Sequence, residues 1–387
     1  MTGAAGHELP ITMFAVFGLA KALEEFCERI GVASVVGQIL AGVILGPSLL
    51  NYVQPNELLG ALAELGVMFL LFQVGLEVKA SELIKVGGTA TLTALLGVVL
   101  PFAFGYAICA AWGFTSTEAT FAGAAMVATS VGITAKVLAA QGLLQMQSAR
   151  IILAAALIDD VIGLLVLAVV SGMAKGAVDY TQLATTAALA IAFTLAVARF
   201  GSRAAGHLAR RTETLRVAES EFAVAMVLLF GLAVLSSKIG VAAIVGAFLA
   251  GMMLSDSAGP RLRDLAYGVS ELLVPFFLAG IGLHLQLGVF NNRSTLLLGV
   301  AFLAAAVVSK IVGCGLGALA LGRAEAIRVG VGMVPRGEVG MVVAQIGFGM
   351  GVVSQELYGV AVFMAVMTTI VAPPMLKWAY RDAAQPA

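Results

Sequence analysis

The chain has 387 residues, of which 60% are hydrophobic and only 11% are charged. A soluble domain carries about a quarter charged residues, so this composition excludes an ordinary soluble fold. The 22 basic and 22 acidic residues balance, which leaves no positive excess to attract nucleic acid, and the three scattered cysteines indicate packing rather than a disulfide or metal framework.

Apolar stretches long enough to cross a bilayer recur along the whole chain. A helix needs about 20 apolar residues to span a hydrocarbon core of about 30 Å, and a helix satisfies its own backbone hydrogen bonds there. The first stretch lacks the basic start and the clear cleavage site of a signal peptide, so we expect it to remain as a span. The sequence therefore predicts an all-α polytopic membrane protein. In chain order, the thirteen predicted spans are 9–28, 33–50, 58–78, 88–112, 119–142, 148–174, 181–205, 218–240, 241–256, 267–287, 293–322, 325–351 and 356–379.

Lysine and arginine are distributed unevenly between the two sides of this arrangement. The even-numbered connections between spans hold only Lys175, Lys238 and Arg293. Positively charged loops stay on the cytoplasmic side, so the larger set of cations places the C-terminus in the cytoplasm and the N-terminus outside, in the inner or plasma membrane. That set of sixteen is Arg29, Lys79, Lys85, Lys136, Arg150, Arg199, Arg203, Arg210, Arg211, Arg216, Arg261, Arg263, Arg323, Arg328, Lys377 and Arg381.

Two pairs of segments show that the halves of the chain resemble each other. GQILAGVILG (37–46) matches GAFLAGMMLS (246–255) at five of ten positions, and FLLFQVGLEV (69–78) matches FFLAGIGLHL (276–285) at four of ten. The offsets, 209 and 207, nearly agree, so spans one to six pair with spans eight to thirteen. Since one extra crossing separates them, the two six-helix repeats are inverted. Inverted repeats are typical of transporters, whose site lies at mid-membrane between broken helices.

Ionisable residues inside the spans are the candidates for chemistry. Counted at about 1.5 Å per residue from the cytoplasmic end of its span, Asp159 is about 14 Å deep and Lys310 about 20 Å. A charge at this depth costs roughly 2.5–3.5 kcal/mol, and intramembrane charges are functional by default. Asp159 and Asp160 are about 100° apart on a helix, so they cannot share one partner face. One of them can meet Lys310 while the other faces a cavity.

Other charged residues have two interpretations. Arg336 and Glu338, in PRGEVG, lie about 12 and 15 Å deep by the same count. We interpret them first as a structural charge pair near the site, which holds helices together. Glu77, in QVGLEVK near the cytoplasmic end of the third span, fits a hydrated helix end and a possible entrance funnel equally well.

Two stretches contain small residues able to interrupt their helices. In ATSVGIT (128–134), Thr129 and Ser130 precede a glycine, and in VSKIVGCGLG (308–317) three glycines follow Lys310. Unwound backbone there would expose carbonyl groups that can coordinate a hard cation. The alternative is that the small residues only permit close helix packing. We favour the ligand role for Thr129 and Ser130, and both alternatives stay open for the glycine-rich run.

The segments ATSVGITAKVL, IDD, SKIVG and PRGEVG resemble the electrogenic, two-aspartate branch of the monovalent cation:proton antiporters, and most closely the NapA-type sodium/proton antiporters. The resemblance covers nearly the whole chain. It implies an NhaA-type fold with broken crossing helices, a homodimer, and a transporter rather than an enzyme. It also implies a dimer (gate) domain formed by 1–80 and 213–290, a mobile ion-transporting core formed by 81–176 and 291–387, and a linker helix at 177–212.

In that family the second aspartate, here Asp160, is the main carrier of ion and proton. The first, here Asp159, pairs with Lys310 when no sodium is bound, and Thr129 and Ser130 fit nearby ligands. The resemblance thus implies a secondary active antiporter that exports Na⁺ or Li⁺ in exchange for protons, with Na⁺ held at Asp160 and Asp159. Two protons per sodium would make the exchange electrogenic, and the loaded core would move against the gate like an elevator. The expected partners are the lipid bilayer, small monovalent cations, protons and a second copy of the chain, with no cofactor and no nucleic acid.

Other functions compete with this interpretation. Potassium-efflux relatives of the KefC type have Gln-Asp in place of Asp159-Asp160 and carry a nucleotide-binding domain, for which few residues follow the last span. A K⁺/H⁺ antiporter and a sodium-coupled organic-anion symporter of the bile-acid-transporter type stay open, the latter because it shares a similar inverted-repeat fold. An intramembrane aspartyl protease is disfavoured, because its two carboxylates must come from separate helices to share a proton.

Overall fold

The computed structural model describes residues 5–174, 180–212 and 219–382, and all regular structure in these ranges is helical. Two short 3₁₀ turns accompany the α-helices. The helices are α1 (Ala5–Arg29), α2 (Ser34–Leu45), α3 (Glu57–Glu77), α4 (Ala80–Lys85), α5 (Gly87–Trp112), α6 (Ser116–Ala125), α7 (Val131–Ala140), α8 (Gln147–Ala174), α9 (Tyr180–Thr212), α10 (Ser220–Ile239), α11 (Ala243–Leu254), α12 (Pro260–Leu283), α13 (Arg293–Gly317), α14 (Arg323–Gly332), α15 (Glu338–Gly349) and α16 (Gln355–Ala379).

Each predicted span coincides with one helix or, in two places, with a pair of short helices. The span predicted at 119–142 is divided into α6 and α7, and the span at 325–351 is divided into α14 and α15. In the described ranges, eight helices are long and apolar enough to cross a membrane, and four shorter apolar helices accompany them. The all-helical membrane fold is therefore confirmed, whereas the number of crossings stays a prediction. The short helix α4 has no counterpart among the predicted spans.

Of the two stretches able to interrupt their helices, 128–134 is interrupted and 308–317 is not, which decides the alternative left open for the glycine-rich run. The chain leaves the helical conformation between α6 and α7, around Thr129 and Ser130. The run 308–317 lies wholly inside the continuous helix α13. A Cβ at Gly313 would collide with the backbone of α5, so this glycine permits close packing, the alternative reading of the pattern. The second interruption lies instead at Pro335, which has no N–H group to continue a helix.

The helices form two packed groups. In group I, α3 packs against α11 and α12, α2 packs against α1 and α12, and α10 packs against α11. In group II, α5 packs against α6, α8 and α13, and α16 packs against α13, α14 and α15. The helix α7 contacts members of both groups, and α9 contacts α8, α10 and α11. The chain therefore enters each group twice, once from each half of the sequence.

Glycines at the helix crossings of group I reproduce the sequence repeat in three dimensions. A Cβ at Gly42 of α2 would collide with the backbone of Ala279 on α12, and a Cβ at Gly251 of α11 would collide with the backbone of Phe72 on α3. Gly42 and Gly251 are separated by 209 residues, the offset between the first pair of similar segments. The helix α2 thus crosses α12 as α11 crosses α3, which is the arrangement expected of two copies of one repeat.

Contacts between the ends of helices define two faces of the assembly. We name one the basic face, because most of its contacts involve lysine or arginine, and the other the opposite face. Contacts on the basic face join Gln145 with Glu77, Lys79 with Asp256, Arg150 with Glu82, Arg263 with Leu76, and Lys377 with Gly31. Contacts on the opposite face join Ser48 with Leu285, Trp112 with Ser294, and Thr295 with Glu356.

Candidate functional site

The two interrupted helices meet at their breaks within group II. The Ser130 N–H donates to the carbonyl of Pro335 over 2.8 Å, and the Thr134 hydroxyl donates to the carbonyl of Gly332 over 2.6 Å. A Cβ at Gly337 would collide with the side chain of Ser130, so a glycine is needed for the two chains to pass. The breaks therefore form a crossover at which the ends of α6, α7, α14 and α15 converge.

Arg336 supplies a buried cation to this crossover. Its Nη1 donates to the carbonyls of Val127 at 2.9 Å and Ala128 at 3.0 Å, just beyond the end of α6, and its Nη2 donates to the carbonyl of Ala306 at 3.3 Å. Carbonyls at a helix C-terminus carry partial negative charge, so the guanidinium compensates the end of α6. The predicted pairing of Arg336 with Glu338 stays a prediction, because the Glu338 side chain lies outside the described residues.

Lys310 and Asp159 lie in contact in the interior of group II. Nζ of Lys310, on α13, is 3.4 Å from Oδ2 of Asp159, on α8, and the two side chains are 0% and 1% exposed. Gly97 of α5 leaves the space for this pair, because a Cβ there would lie 3.4 Å from Nζ and in closer contact with the Cys314 thiol. The sequence identifies both charged residues but not Gly97, because a glycine in an apolar span does not reveal which side chain packs against it.

Asp160 faces a different environment from Asp159. It lines a cavity of about 10 Å³, which is room for about one water molecule. Two walls come from α7, which begins at the crossover, and from α8 of group II. The others come from α3 and α11 of group I. The walls are formed by Leu71, Val131, Leu153, Leu157, Val245 and Phe248. Asp160 therefore lies at the boundary between the two groups of helices, whereas its neighbour is enclosed within one of them.

Thr129 and Ser130 contribute oxygen atoms to the same region. Both side chains are buried, and among the described residues neither hydroxyl has a hydrogen-bond partner, nor has Oδ1 of Asp159. A buried polar group without a partner costs about 1–3 kcal/mol, so these oxygens are available to bind a ligand from outside the protein. Oxygen ligands suit hard cations. Across the described ranges, no cluster of three or more His, Cys, Asp or Glu side chains is placed to hold a metal ion.

Glu77 lies apart from the crossover. It is the last residue of α3, its side chain is exposed on the basic face, and its carbonyl accepts a hydrogen bond from Gln145 at 2.5 Å. Along α3 it is six residues beyond Leu71, which lines the Asp160 cavity, so the two are separated by about 9 Å. Its role in an entrance funnel stays a prediction.

A larger cavity of about 440 Å³ opens between the two groups toward the opposite face. Its walls come from α3, α11 and α12 of group I and from α15 of group II. Its inner end reaches Val67 and Phe277, which also lie against Gly132 at the start of α7. Val67 is one helical turn from Leu71 on α3, so about 6 Å separates this cavity from the one that Asp160 lines.

A crossover of broken helices, with buried charges beside it and a cavity leading toward it, is typical of membrane transporters of small ions. Residues 12–381 match the family described as "Sodium/hydrogen exchanger, transmembrane". The chain belongs to this family, and the expected resemblance to cation:proton antiporters is thereby confirmed.

Individual relatives agree with this assignment. The chain is 31% identical over 360 residues to the Na(+)/H(+)-K(+) antiporter GerN of Bacillus cereus, which covers 91% of each chain. It is 29% identical over 417 residues to the high-affinity Na(+)/H(+) antiporter NhaS3 of Synechocystis, which covers 96% of this chain and 90% of the relative. Its fold is similar to that of the sodium proton antiporter MjNhaP1 from Methanocaldococcus jannaschii, with a TM-score of 0.73 at 16% identity over 98% of this chain and 97% of that one.

Proposed function

We propose that the chain is an electrogenic sodium/proton antiporter, which exports Na⁺ or Li⁺ in exchange for external protons. The observation that carries this proposal is the different placement of two adjacent aspartates. Asp160 lines a cavity at the boundary between the helix groups, whereas Asp159 contacts Lys310 inside group II. An exchanged ion must reach its carboxylate from each side of the membrane in turn, and a group at a moving boundary permits this. Membership of the sodium/hydrogen exchanger family supports the same class of transport.

The proposed exchange is a competition for oxygen atoms. Na⁺ and a proton compete directly for the Asp160 carboxylate. A bound Na⁺ would also attract Asp159 and the hydroxyls of Thr129 and Ser130, which have no other hydrogen-bond partner among the described residues. When Asp159 turns to the cation, Lys310 loses its partner and can release a proton. Two protons would then be exchanged for each sodium, which moves one net charge per cycle.

We propose that alternating access arises from movement of one group of helices against the other. We assign group I to the gate domain, within 1–80 and 213–290, and group II to the core, within 81–176 and 291–387, with 177–212 as the linker. The proposed ligands of the ion belong to the crossover and to α8, and Lys310 belongs to α13, so all of them would travel together when the core moves. A homodimer formed through the gate would give the core a fixed frame to move against.

The basic face is the proposed cytoplasmic face. Lysine and arginine from several helix ends make their contacts there, and positively charged segments stay on the cytoplasmic side. This orientation places the N-terminus outside and the C-terminus in the cytoplasm. The larger cavity then opens to the exterior, and the conformation described here is the one that faces outward.

Potassium is a second candidate for the transported ion. The name of the relative GerN includes K⁺ as well as Na⁺, and that protein is 31% identical to this chain. The site offers oxygen ligands, which suit either ion. Transport of Na⁺, Li⁺ and K⁺ is therefore compared in one assay.

The experiment uses the purified protein in liposomes that contain a pH-sensitive dye. Na⁺, Li⁺ or K⁺ is added outside, and proton movement is followed for the wild type, for Asp160→Asn and for a matched control, Asp256→Asn. Asp256 is an exposed aspartate that pairs with Lys79 on the basic face. We expect cation-dependent proton movement that Asp160→Asn abolishes and Asp256→Asn preserves. Absence of proton movement with every cation over a wide pH range would overturn the proposal, and sodium-driven uptake of organic anions would then be tested.

A further inference from the structure

Lys136 and Glu271 form an ion pair between α7, which follows the break at the crossover, and α12 of group I. Lys136 lies on α7, six residues beyond Ser130, and its Nζ is 2.5 Å from Oε1 of Glu271 on α12. The other carboxylate oxygen of Glu271 is 2.9 Å from Nζ of Lys21, which is also 2.9 Å from Glu24. Two cations and two anions therefore balance at one place on the boundary, and only Lys136 comes from the crossover side.

This ion pair lies between the crossover and the basic face. The side chains of Lys136 and Glu271 are 13% and 26% exposed, so their attraction is screened less by solvent than that of a surface pair. Two more hydrogen bonds join groups I and II on this face, from Gln145 to the Glu77 carbonyl and from Lys377 to the Gly31 carbonyl. Toward the opposite face the groups are instead separated by the cavity of about 440 Å³. The boundary is thus closed on one side and open on the other.

The internal repeat shows that the pair has no equivalent on the open side. ELGVMFLLFQVGL (64–76) and ELLVPFFLAGIGL (271–283) have the same offset of 207 as the shorter segments, so Glu271 corresponds to Glu64. Glu64 lines the larger cavity and makes no ion pair with any described residue. Aligning VGITAK with VGMVVA (339–344) makes Ala344 the counterpart of Lys136. The acid is present in both repeats, whereas the lysine is present in only one.

We propose that the Lys136–Glu271 pair is a latch that holds core and gate together on the cytoplasmic side, an inference that rests on the proposed antiport. The latch stabilises the outward-facing conformation and separates once in each cycle, before the site opens to the cytoplasm. Lys21 stays beside Glu271 when Lys136 leaves, so the carboxylate keeps a cation within group I. Lys136 moves toward water as the boundary opens. Separation therefore leaves no buried charge without a partner, which keeps the conformational change reversible.

The test compares Glu271→Gln with Glu82→Gln by hydrogen–deuterium exchange of the whole protein in detergent or nanodiscs. Glu82 pairs with Arg150 on the same face at similar exposure, but α4 and α8 do not cross the boundary, so this variant is a matched control. We expect amide exchange in α7 and in the first half of α12 to rise roughly threefold to tenfold in Glu271→Gln and to stay unchanged in Glu82→Gln. Exchange at the start of α3, on the opposite face, stays unchanged in both.

Lys136→Gln and the double variant with Glu271→Gln complete the test. Residues that act through one contact are not additive, so we expect the double variant to exchange no faster than the single variants. Unchanged exchange in both single variants, or equal acceleration by Glu82→Gln, would overturn the latch. Sodium-dependent proton movement by the wild type is measured in parallel. If the wild type transports and the exchange pattern does not change, the latch alone is wrong; if the wild type moves no protons with any cation, the antiport itself is wrong.

Discussion

Adjacent residues on a helix point about 100° apart, and α8 uses this angle to give two aspartates different surroundings. Asp159 contacts a lysine that is fully buried, and Asp160 lines a cavity whose walls come from both groups of helices. One helix thereby presents a carboxylate in contact with a buried lysine beside a carboxylate that lines a cavity. At the scale of single residues, the energetic cost of buried charge makes Lys310 as important to this site as the proposed carrier, Asp160.

Replacing Lys310 tests the buried pair. Lys310→Gln removes the cation beside Asp159 and leaves a carboxylate without compensation, which we expect to lower the free energy of unfolding by about 3–5 kcal/mol. Lys85→Gln is the control, because Lys85 forms an exposed pair with Glu82, and such pairs contribute about 0–1 kcal/mol. Thermal unfolding in detergent measures both. Equal melting temperatures for the two variants would contradict a charged Lys310–Asp159 pair.

Gly97 gives a test of the space around the same pair. In Gly97→Ala the new methyl group would press on the Cys314 thiol and approach Nζ of Lys310, and overpacking of this kind costs about 1–3 kcal/mol. Adding Cys314→Ala removes the thiol, so the double variant should recover much of the lost stability. Gly60→Ala, where a Cβ meets nothing within 4 Å, should cause no loss. Failure of Cys314→Ala to rescue the melting temperature would mean that the contact with Cys314 does not set the cost.

At the scale of elements, the crossover depends on helices that end inside the protein. The ends of α6 and α14 present carbonyl groups without helical partners, and Arg336 donates to two of those beyond α6 as well as to α13. A fixed guanidinium connects elements from both halves of the chain. Its side chain is fully buried, so these hydrogen bonds have no competition from bulk water.

Substitutions of Arg336 test whether its positive charge or its hydrogen-bonding geometry stabilises the crossover. Hydrogen bonds from a charged donor contribute about 1.5–3 kcal/mol each, so Arg336→Gln should destabilise the fold by about 3 kcal/mol or more. Arg336→Lys keeps the charge but lacks the planar fork that reaches three carbonyls, and we expect an intermediate loss. Thermal unfolding ranks the three proteins. If Arg336→Lys melts with the wild type, charge alone is sufficient at the crossover.

Sequence reasoning predicts the helices of this chain better than their interruptions. Long apolar runs set the positions of the spans, and Thr129 with Ser130 marks the first break correctly. For the glycines after Lys310 the sequence leaves interruption and close packing equally open, and the structure shows packing there and a break at Pro335. A glycine looks the same in a sequence whether it interrupts a helix or lets another backbone approach closely. Only the packing of α5 against α13 shows that these glycines permit close approach. The sequence does suggest the Lys310–Asp159 contact, because an unpaired buried charge is costly. It does not suggest the role of Gly97 or the Lys136–Glu271 pair, because both depend on which helices pack together.

At the scale of the whole molecule, the two groups touch on the basic face and separate toward the opposite face. This asymmetry is what a transporter needs if its site is to be open to one compartment at a time. Under the proposed alternating access, the repeat would let one chain form both conformations, because each half supplies equivalent helices to either side of the boundary.

Voltage dependence tests the proposed stoichiometry of the whole cycle. If two protons enter for each sodium that leaves, one net positive charge moves inward, and a potential of 100 mV, negative inside, contributes about 2.3 kcal/mol to Na⁺ export. We expect the rate of sodium exchange in liposomes to rise when such a potential is imposed. Asp160→Asn liposomes give the background leak. A rate that does not depend on the potential would indicate electroneutral exchange of one proton for one sodium.

The small size of the Asp160 cavity has a consequence for ion selectivity. A space of about 10 Å³ has room for about one water molecule, so a cation cannot enter it with its hydration shell intact. If Asp160 binds the transported ion, as proposed, that ion must lose nearly all of its hydration water, and the number of protein oxygens that replace this water then decides which cation is bound. Dehydration costs more for Na⁺ than for the larger K⁺, so discrimination depends on how many of these oxygens can turn toward the ion and not on the width of the passage that leads to it.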